Sequence, residues 1–353
     1  MEENIFAEMP PVREWKRVDR KRFEEEIVPL NRPAIIRGLA GGWPAVAAAR
    51  ESPQALAEFV RRFSKDQPVS VLEAAPGMRG RFFYDDAGKG FNFKHESMTV
   101  GALLDRLLKG MAELQAPALY AGAVAVKELQ PEFEASHSIG LLDPLVPHRA
   151  QLWIGNRTRA AAHFDEAANL ICVIGGRRRY TLFAPEQIRN LYFGPLDRTP
   201  AGVPISMVDF ARPDYQRFPR FRTALEYAEV AELGPGDALY MPTHWVHQGE
   251  SLDNFDLMMN FWWQVSAMQV LSPYFTLMHS LITIRGLSPG ERAAWRTVFD
   301  VYAFNPDIDP AKYLPDAALG ILGPLTIAQV QGLIASLQVS LERAKRNLAP
   351  FAP

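Results

Sequence analysis

The sequence predicts a mainly β protein with helices added at both ends, its centre a double-sheet jelly roll or barrel. Two observations predict this. Between residues 117 and 265 the chain carries many short alternating or apolar runs, cut by the turns Gly175-Gly176 and Gly234-Pro235-Gly236-Asp237. From about Met268 onward the apolar residues instead recur at helical spacing. The organisation that follows is an N-terminal α/β scaffold over residues 1–116 packing on the barrel, a jelly-roll core over 117–265, and a C-terminal helical segment over 266–353.

Taken in order, Phe23 to Val28 reads as a short helix ended by Pro29, and Ala34-Ile35-Ile36-Arg37-Gly38 as a brief buried strand. Ser52-Pro53 opens a helix, the serine as N-cap and the proline in the first turn, continuing through Leu56, Phe59, Val60 and Phe63. Val69 to Leu72 and Arg81 to Tyr84 look like strands, and Thr99 caps a helix carrying Leu103, Leu104, Leu107 and Leu108. No chemistry stands out in this portion.

In the middle, the strand candidates are Ala118 to Tyr120, Gln151 to Ile154, Leu170 to Ile174, Arg179 to Phe183, Ala238 to Met241 and Leu257 to Trp262. A helix interrupts from Pro185 to Leu191. The polar stretch 197–222 is long for a loop, and loops of that length are usually functional or disordered. Toward the C-terminus, Ser288-Pro289-Gly290-Glu291 fits a capping box. Beyond Thr326, Ile327, Val330, Leu333, Ile334, Leu337 and Leu341 form an apolar stripe. Packing against the barrel and a homodimer interface explain that stripe equally well.

Composition sets the outer bounds. With 353 residues, 48% hydrophobic and 22% charged, the chain is long enough for a sizeable core. Its net charge of -2 suggests neither a general nucleic-acid binder nor an anionic-membrane binder. Cys172 stands alone, which excludes an intramolecular disulfide and a cysteine-rich zinc site. No apolar stretch reaches membrane-spanning length and no signal peptide is visible, so the expected location is cytoplasmic.

The stretch that carries chemistry is Ala162-His163-Phe164-Asp165-Glu166. On an extended segment, residues two apart point to the same side, which sets the His163 imidazole beside the Asp165 carboxylate. A second histidine from another strand would complete a 2-His-1-carboxylate facial triad, which holds one face of Fe(II) and leaves three positions open. The turn Gly234–Asp237 and the run Leu239-Tyr240-Met241-Pro242 lead to His244, Trp245 and His247. A turn, a strand and a histidine at the strand end is how a barrel delivers such a ligand.

These segments, with Trp153-Ile154-Gly155, Asn169, Thr181 to Pro185, Asp214 to Pro219, Glu250-Ser251-Leu252 and Asn260-Phe261-Trp262, resemble the JmjC, cupin-like 2-oxoglutarate oxygenases, and among them the asparaginyl hydroxylases. The resemblance is strong through the middle and extends weakly to Pro33 to Gly38 and Trp43-Pro44. It implies a double-stranded β-helix core with His163, Asp165 and His247 as iron ligands. His244 takes a position that holds an aromatic in the family, and is assigned either to the layer supporting the ligands or to the pocket wall. Asn169 and Asn260 match asparagines lining the iron and cosubstrate pocket, and Tyr120 a tyrosine that hydrogen-bonds the cosubstrate. No catalytic residue is implied beyond the metal centre. His95, His137, His148 and His279 fall outside the motifs and read as surface or satisfied core histidines.

Two positions depart from the family. Arg178 stands where the relatives carry the lysine that grips the distal carboxylate of 2-oxoglutarate. Alternation keeps Arg178 and Tyr180 facing inward and turns Arg177 and Arg179 out. A guanidinium preserves the charge but changes the reach and geometry. Ala160 stands where the closest members have a threonine, a lost hydroxyl that Thr158 could supply from the turn.

The first functional reading is an Fe(II)- and 2-oxoglutarate-dependent oxygenase hydroxylating a C–H bond. The resemblance suggests a protein or peptide side chain as substrate, with 197–222 and Trp262-Trp263 forming part of its groove. A metal cupin of another reaction class is the second reading, supported by Arg178 and Ala160. A non-catalytic member binding a small acid or a protein is the third, and the intact triad speaks against it.

Overall fold

The computed structural model describes residues 6, 9–200, 202–265 and 271–348. The chain divides into two compact units, residues 1–269 and 270–353. The predicted boundary at 265/266 abuts residues 266–270, which lie outside the described residues.

Among the described residues the first unit holds fourteen strands. In chain order they are β1 (Glu14–Lys16), β2 (Ala34–Arg37), β3 (Pro68–Ala74), β4 (Arg81–Phe82), β5 (Phe93–Thr99), β6 (Ala118–Ala125) and β7 (His148–Gly155). Then follow β8 (Arg159–Ala160), β9 (Ala168–Gly175), β10 (Arg178–Phe183), β11 (Glu229–Leu233), β12 (Ala238–Met241), β13 (Val246–Ser251) and β14 (Asp256–Trp263). They form a nine-stranded sheet in the order β1-β2-β12-β9-β14-β7-β6-β3-β5 and a five-stranded sheet in the order β11-β10-β13-β8-β4. From β7 to β14, consecutive strands alternate between the two sheets except at the β10–β11 step. This alternation is the double-stranded β-helix, so the expected fold class is the one found.

Side-chain alternation builds the core. On β9 every residue is buried, because both faces of the strand are covered. Ile171 and Val173 point between the sheets, against Tyr180 and Leu182 of β10, Leu239 and Met241 of β12, and Met258 of β14. Leu170, Cys172 and Ile174 point the other way, into a layer made with the helices Pro53–Phe63 and Val100–Gly110. Each fully buried aliphatic side chain of this kind contributes about 1.5–3 kcal/mol. Both helices start as expected: Ser52 accepts from Ala55 N at 3.0 Å, and Thr99 from Ala102 N at 3.2 Å.

The two glycine turns have separate tasks. Gly176 joins β9 to β10 at φ +77, and a Cβ there would sit 2.7 Å from the Phe255 carbonyl oxygen. In the Gly234–Asp237 turn the Asp237 carboxylate accepts from Gly234 N at 3.2 Å, Gly38 N at 3.1 Å and Arg37 Nη1 at 2.6 Å. This bond set ties the start of β12 to the end of its neighbour β2.

Residues 202–222 are packed onto the core and are not a bare loop. Val208, Phe210, Phe218 and Phe221 are buried against Phe183 and Val246 of the five-stranded sheet. The N-terminal strands extend the two sheets: β1, β2, β3 and β5 lengthen the larger, and β4 edges the smaller.

In the second unit the helices are Pro273–Thr283, Pro289–Phe299 and Ile327–Leu348, and the capping box at Ser288 and Glu291 is formed as predicted. Ile327, Leu337 and Leu341 of the apolar stripe are exposed. No helix among the described residues is long and apolar enough to cross a membrane.

Candidate metal centre and its pocket

His163 and His247 meet across an isolated antiparallel bridge, His163 N donating to His247 O at 3.1 Å and His247 N to His163 O at 2.8 Å. His163 is therefore not within a regular strand. His247 corrects the sequence reading in a different way. It does not end the strand after the glycine turn. It is the second residue of β13, in the opposite sheet, registered against Leu182 of β10. The turn 242–245 carries the chain from one sheet to the other, and so delivers this imidazole across the jelly roll.

The two rings lie with centroids 4.4 Å apart. His247 Nε2 is 3.8 Å from Asp165 Oδ2. One ligand atom from each of His163, Asp165 and His247 falls within 4.8 Å of the others, an arrangement that could hold a metal ion. It is the only such group of His, Cys, Asp and Glu among the described residues.

Local backbone fixes the tautomers. His163 Nδ1 is 2.8 Å from the Ala161 carbonyl oxygen, and His247 Nδ1 is 3.0 Å from that of Trp245. A carbonyl oxygen can only accept, so each Nδ1 carries the proton and each Nε2 keeps its lone pair free. Burial, followed by the neighbouring His163, lowers the His247 pKa to about 4 despite the opposing pull of Asp165. The ring is thus neutral at neutral pH, the state a metal ligand needs.

His244 stays out of this set. It sits at φ +65, in the left-handed region, and its backbone N–H donates to the Asp165 carbonyl at 2.9 Å. Its ring lies 5.8 Å from that of Phe164. Its contribution is to hold the loop that presents Asp165. Of the other histidines, His95, His148 and His279 are exposed. His137 is fully buried, with Nδ1 2.6 Å from the Phe133 carbonyl and Nε2 accepting from Ala45 N at 3.3 Å.

The triad opens on a cavity of about 320 Å³, and Tyr120, Asn169, Arg178 and Asn260 all line it. Trp153 Nε1 donates to Asn260 Oδ1 at 2.7 Å, and Asn260 Nδ2 to Asn169 Oδ1 at 3.0 Å. That chain of donation orients both amides and leaves the Asn169 amino group as a donor beside the triad. Thr158 and Ala160 both line the cavity, so the hydroxyl missing at 160 is available two residues earlier.

Arg178 is buried, as its inward direction required. Its Nε donates to Asp256 Oδ1 at 2.7 Å, its Nη2 reaches the same oxygen, and its Nη1 lies 3.4 Å from the Tyr180 hydroxyl. Burial opposes the Arg178 charge, but Asp256 together with Tyr180 and Tyr120 more than offsets it and holds the guanidinium above its ordinary value. Burial pushes the Asp256 carboxyl up to about 6 against the pull of Arg178, so the pair is ionised at neutral pH. Burial also raises the Tyr120 hydroxyl well above its ordinary value. Arg177 is 65% exposed and pairs with Asp253, while Arg179 pairs with Glu232 and Glu250.

Tyr180 lines the cavity as its inward direction required, whereas sequence reasoning missed Asp256 and the N-terminal wall of the cavity, where Ser70 and Leu72 of β3 contribute. An acid heading the otherwise apolar run Asp256-Leu257-Met258-Met259 was the available signal for the first. Trp262 lines the cavity together with Pro200 and Val203, whereas Trp263 stacks on Tyr240 on the far side of the sheet.

The profile of a family described as a cupin-like domain matches residues 20–269. A lysine-specific demethylase JMJ31 of Arabidopsis thaliana is 32% identical over 117 residues, 33% of this chain and 21% of that protein. HSPB1-associated protein 1 of Homo sapiens is 36% identical over 113 residues, 31% of this chain and 22% of its own length. The chain therefore spans less than a quarter of the length of these two relatives. The tRNA wybutosine-synthesizing protein 5 of Danio rerio is 25% identical over 268 residues, 70% of this chain and 73% of that protein.

Proposed function

The chain belongs to the family of cupin-like domains, and on that premise we propose that it is an Fe(II)- and 2-oxoglutarate-dependent oxygenase hydroxylating a C–H bond. The observation that carries this reading is the convergence of His163, Asp165 and His247 at the mouth of a cavity lined by Arg178. The donor set fits the ion. Two imidazoles whose Nδ1 atoms are taken by backbone carbonyls, and one carboxylate, are the ligands that suit Fe(II) with open positions. When bound, the Fe(II) supplies the activation of O₂ that is coupled to decarboxylation of 2-oxoglutarate to succinate.

The protein's own groups place the reactants. Arg178 receives the distal carboxylate of 2-oxoglutarate through Nη1, the nitrogen that Asp256 leaves unbound. Tyr120, next to Arg178, donates its hydroxyl to that carboxylate. Asn169, oriented by Asn260, donates near the triad. Ile171, Met258 and Trp262 line the cavity with apolar surface and keep water out. A protein or peptide side chain is the proposed substrate, entering past Pro200 and Val203. The relatives named above include a demethylase of lysine, which supports a protein substrate.

Anaerobic titration of the Fe(II)-loaded protein with 2-oxoglutarate tests the reading. Chelation by the 2-oxo acid gives a visible charge-transfer band that acetate and succinate do not give. Fe(II) binding without that band would refute 2-oxoglutarate use. The engagement of Arg178 by Asp256 favours a second reading, a metal cupin of another reaction class, which that outcome would select.

We further propose a homodimer through the C-terminal helices. Phe275, Trp295, Leu337 and Leu341 line one apolar groove within that unit and are exposed. Light scattering across a concentration series that finds only monomer would remove this proposal.

A further inference from the structure

Away from the metal pocket, two guanidinium groups close on one carboxylate and a third arginine lines the same cavity. Arg81 of β4 and Arg159 of β8 are register partners in a parallel pair. Asp209 lies 3.9 Å from Arg81 Nη1 and 3.5 Å from Arg159 Nη1. Arg212, three residues after Asp209, lines with Arg159 the two adjoining cavities, the larger about 830 Å³. The larger cavity is lined by Arg81, Arg159, Arg212 and Arg217 against Asp85, Asp86 and Asp209.

This is not a solvated patch. The side chains of Arg81, Arg159 and Asp209 are only 20%, 13% and 21% exposed. Arg81 lies over the Phe83 ring at 3.6 Å, and its Nη2 is buried without a hydrogen-bond partner among the described residues. A buried, unpaired donor on a charged group is costly. Burial, added to by Arg159 and Arg212, lowers the Arg81 pKa although Asp209 opposes it. The cluster is short of negative charge and of acceptors.

We propose that Arg81, Arg159 and Arg212 form a binding site for a phosphoryl group. Arg81, Arg159 and Arg212 interact around the single carboxylate of Asp209, and the excess of positive charge there is one an anion would offset. The three oxygens of a phosphoryl group give each guanidinium its own acceptor. The site lies on the opposite face of β8 from the metal pocket: Thr158 and Ala160 line that pocket, while Arg157 and Arg159 line the cavity behind. It stands independently of the oxygenase reading.

Isothermal titration of the full chain with inorganic phosphate and with O-phosphoserine, at constant ionic strength, tests the site. Arg212 is exposed, so Arg212→Gln does not endanger folding. That substitution should weaken phosphate about tenfold, the loss of one charge-assisted bond. Asp209→Asn should tighten it, because the amide oxygen can still accept from Ala211 N, now at 3.1 Å from Oδ1, while the competing charge is gone. Tighter binding of O-phosphoserine would identify a phosphoryl group borne on a larger molecule, and equal or weaker binding free phosphate. No binding of either, or binding that both substitutions leave unchanged, overturns the proposal.

Discussion

Arg178 and Asp256 form a buried ion pair at the cavity wall, Nε donating to Oδ1 at 2.7 Å with Nη2 on the same oxygen, and this pair leaves Nη1 beside the Tyr180 hydroxyl. The cation is therefore already committed on one side. An incoming carboxylate meets the Nη1 side of the guanidinium, because the Nε edge is taken by Asp256.

Arg178→Ala should weaken 2-oxoglutarate by at least about tenfold and leave Fe(II) affinity nearly unchanged. Equal losses of both, measured by titration of each ligand, would count against the assigned role.

Asp256→Ala strands the Arg178 charge in the interior. Breaking one partner of a buried pair costs about 3–5 kcal/mol, so denaturant unfolding should show a loss of that order. A loss below about 1 kcal/mol would mean that the pair is solvated.

His163→Ala and Asp165→Ala should each abolish stoichiometric Fe(II) binding, while His244→Ala should retain most of it. Metal content after anaerobic reconstitution reads this directly. If His244→Ala proves as damaging as His247→Ala, the ligand set is wrong.

His137 predicts a pH effect on stability. Burial lowers its folded pKa below the ordinary 6.5, and a protonated ring could no longer accept from Ala45 N. The unfolded chain then binds the proton first, so the contribution is complete above about pH 6.5 and is lost as pH falls toward the folded value. Thermal melts from pH 7.5 to 5 should fall more steeply for the native protein than for His137→Gln, and parallel curves would contradict it.

Gly176→Ala combines a left-handed φ of +77 with a Cβ 2.7 Å from a carbonyl oxygen. The expected cost is about 1–3 kcal/mol. An unchanged melting temperature would show that the turn can relax.

What could be read in advance follows from where the information lies. Strands β9, β12 and β14 are apolar in their own residues, because they are buried, and were legible for that reason. Strand β5, Phe-Lys-His-Glu-Ser-Met-Thr, lies at a sheet edge with half-exposed faces, and its polar residues hid it. Strand β8 is two residues long and exists only through its partners β13 and β4. His163, Asp165 and His247 carry their chemistry as residue types within motifs, so the triad could be anticipated. The placement of His247 in the second sheet could not, since a turn that changes sheet looks like any other Pro-containing turn. Asp256 was invisible as a partner of Arg178 because 78 residues separate them and only the register of the folded sheets brings them together.

The carbonyls of Ala161 and Trp245, each two residues before the imidazole it holds, have a thermodynamic consequence. Immobilising a rotamer-rich side chain on association costs about 0.5–1.5 kcal/mol. Here both rings are aimed by hydrogen bonds to their own backbone, so that ordering entropy is spent when the chain folds and not when an ion arrives. Affinity at this centre is thereby coupled to the integrity of the β-bridge between residues 163 and 247, and local fraying there would loosen the ion before global unfolding begins.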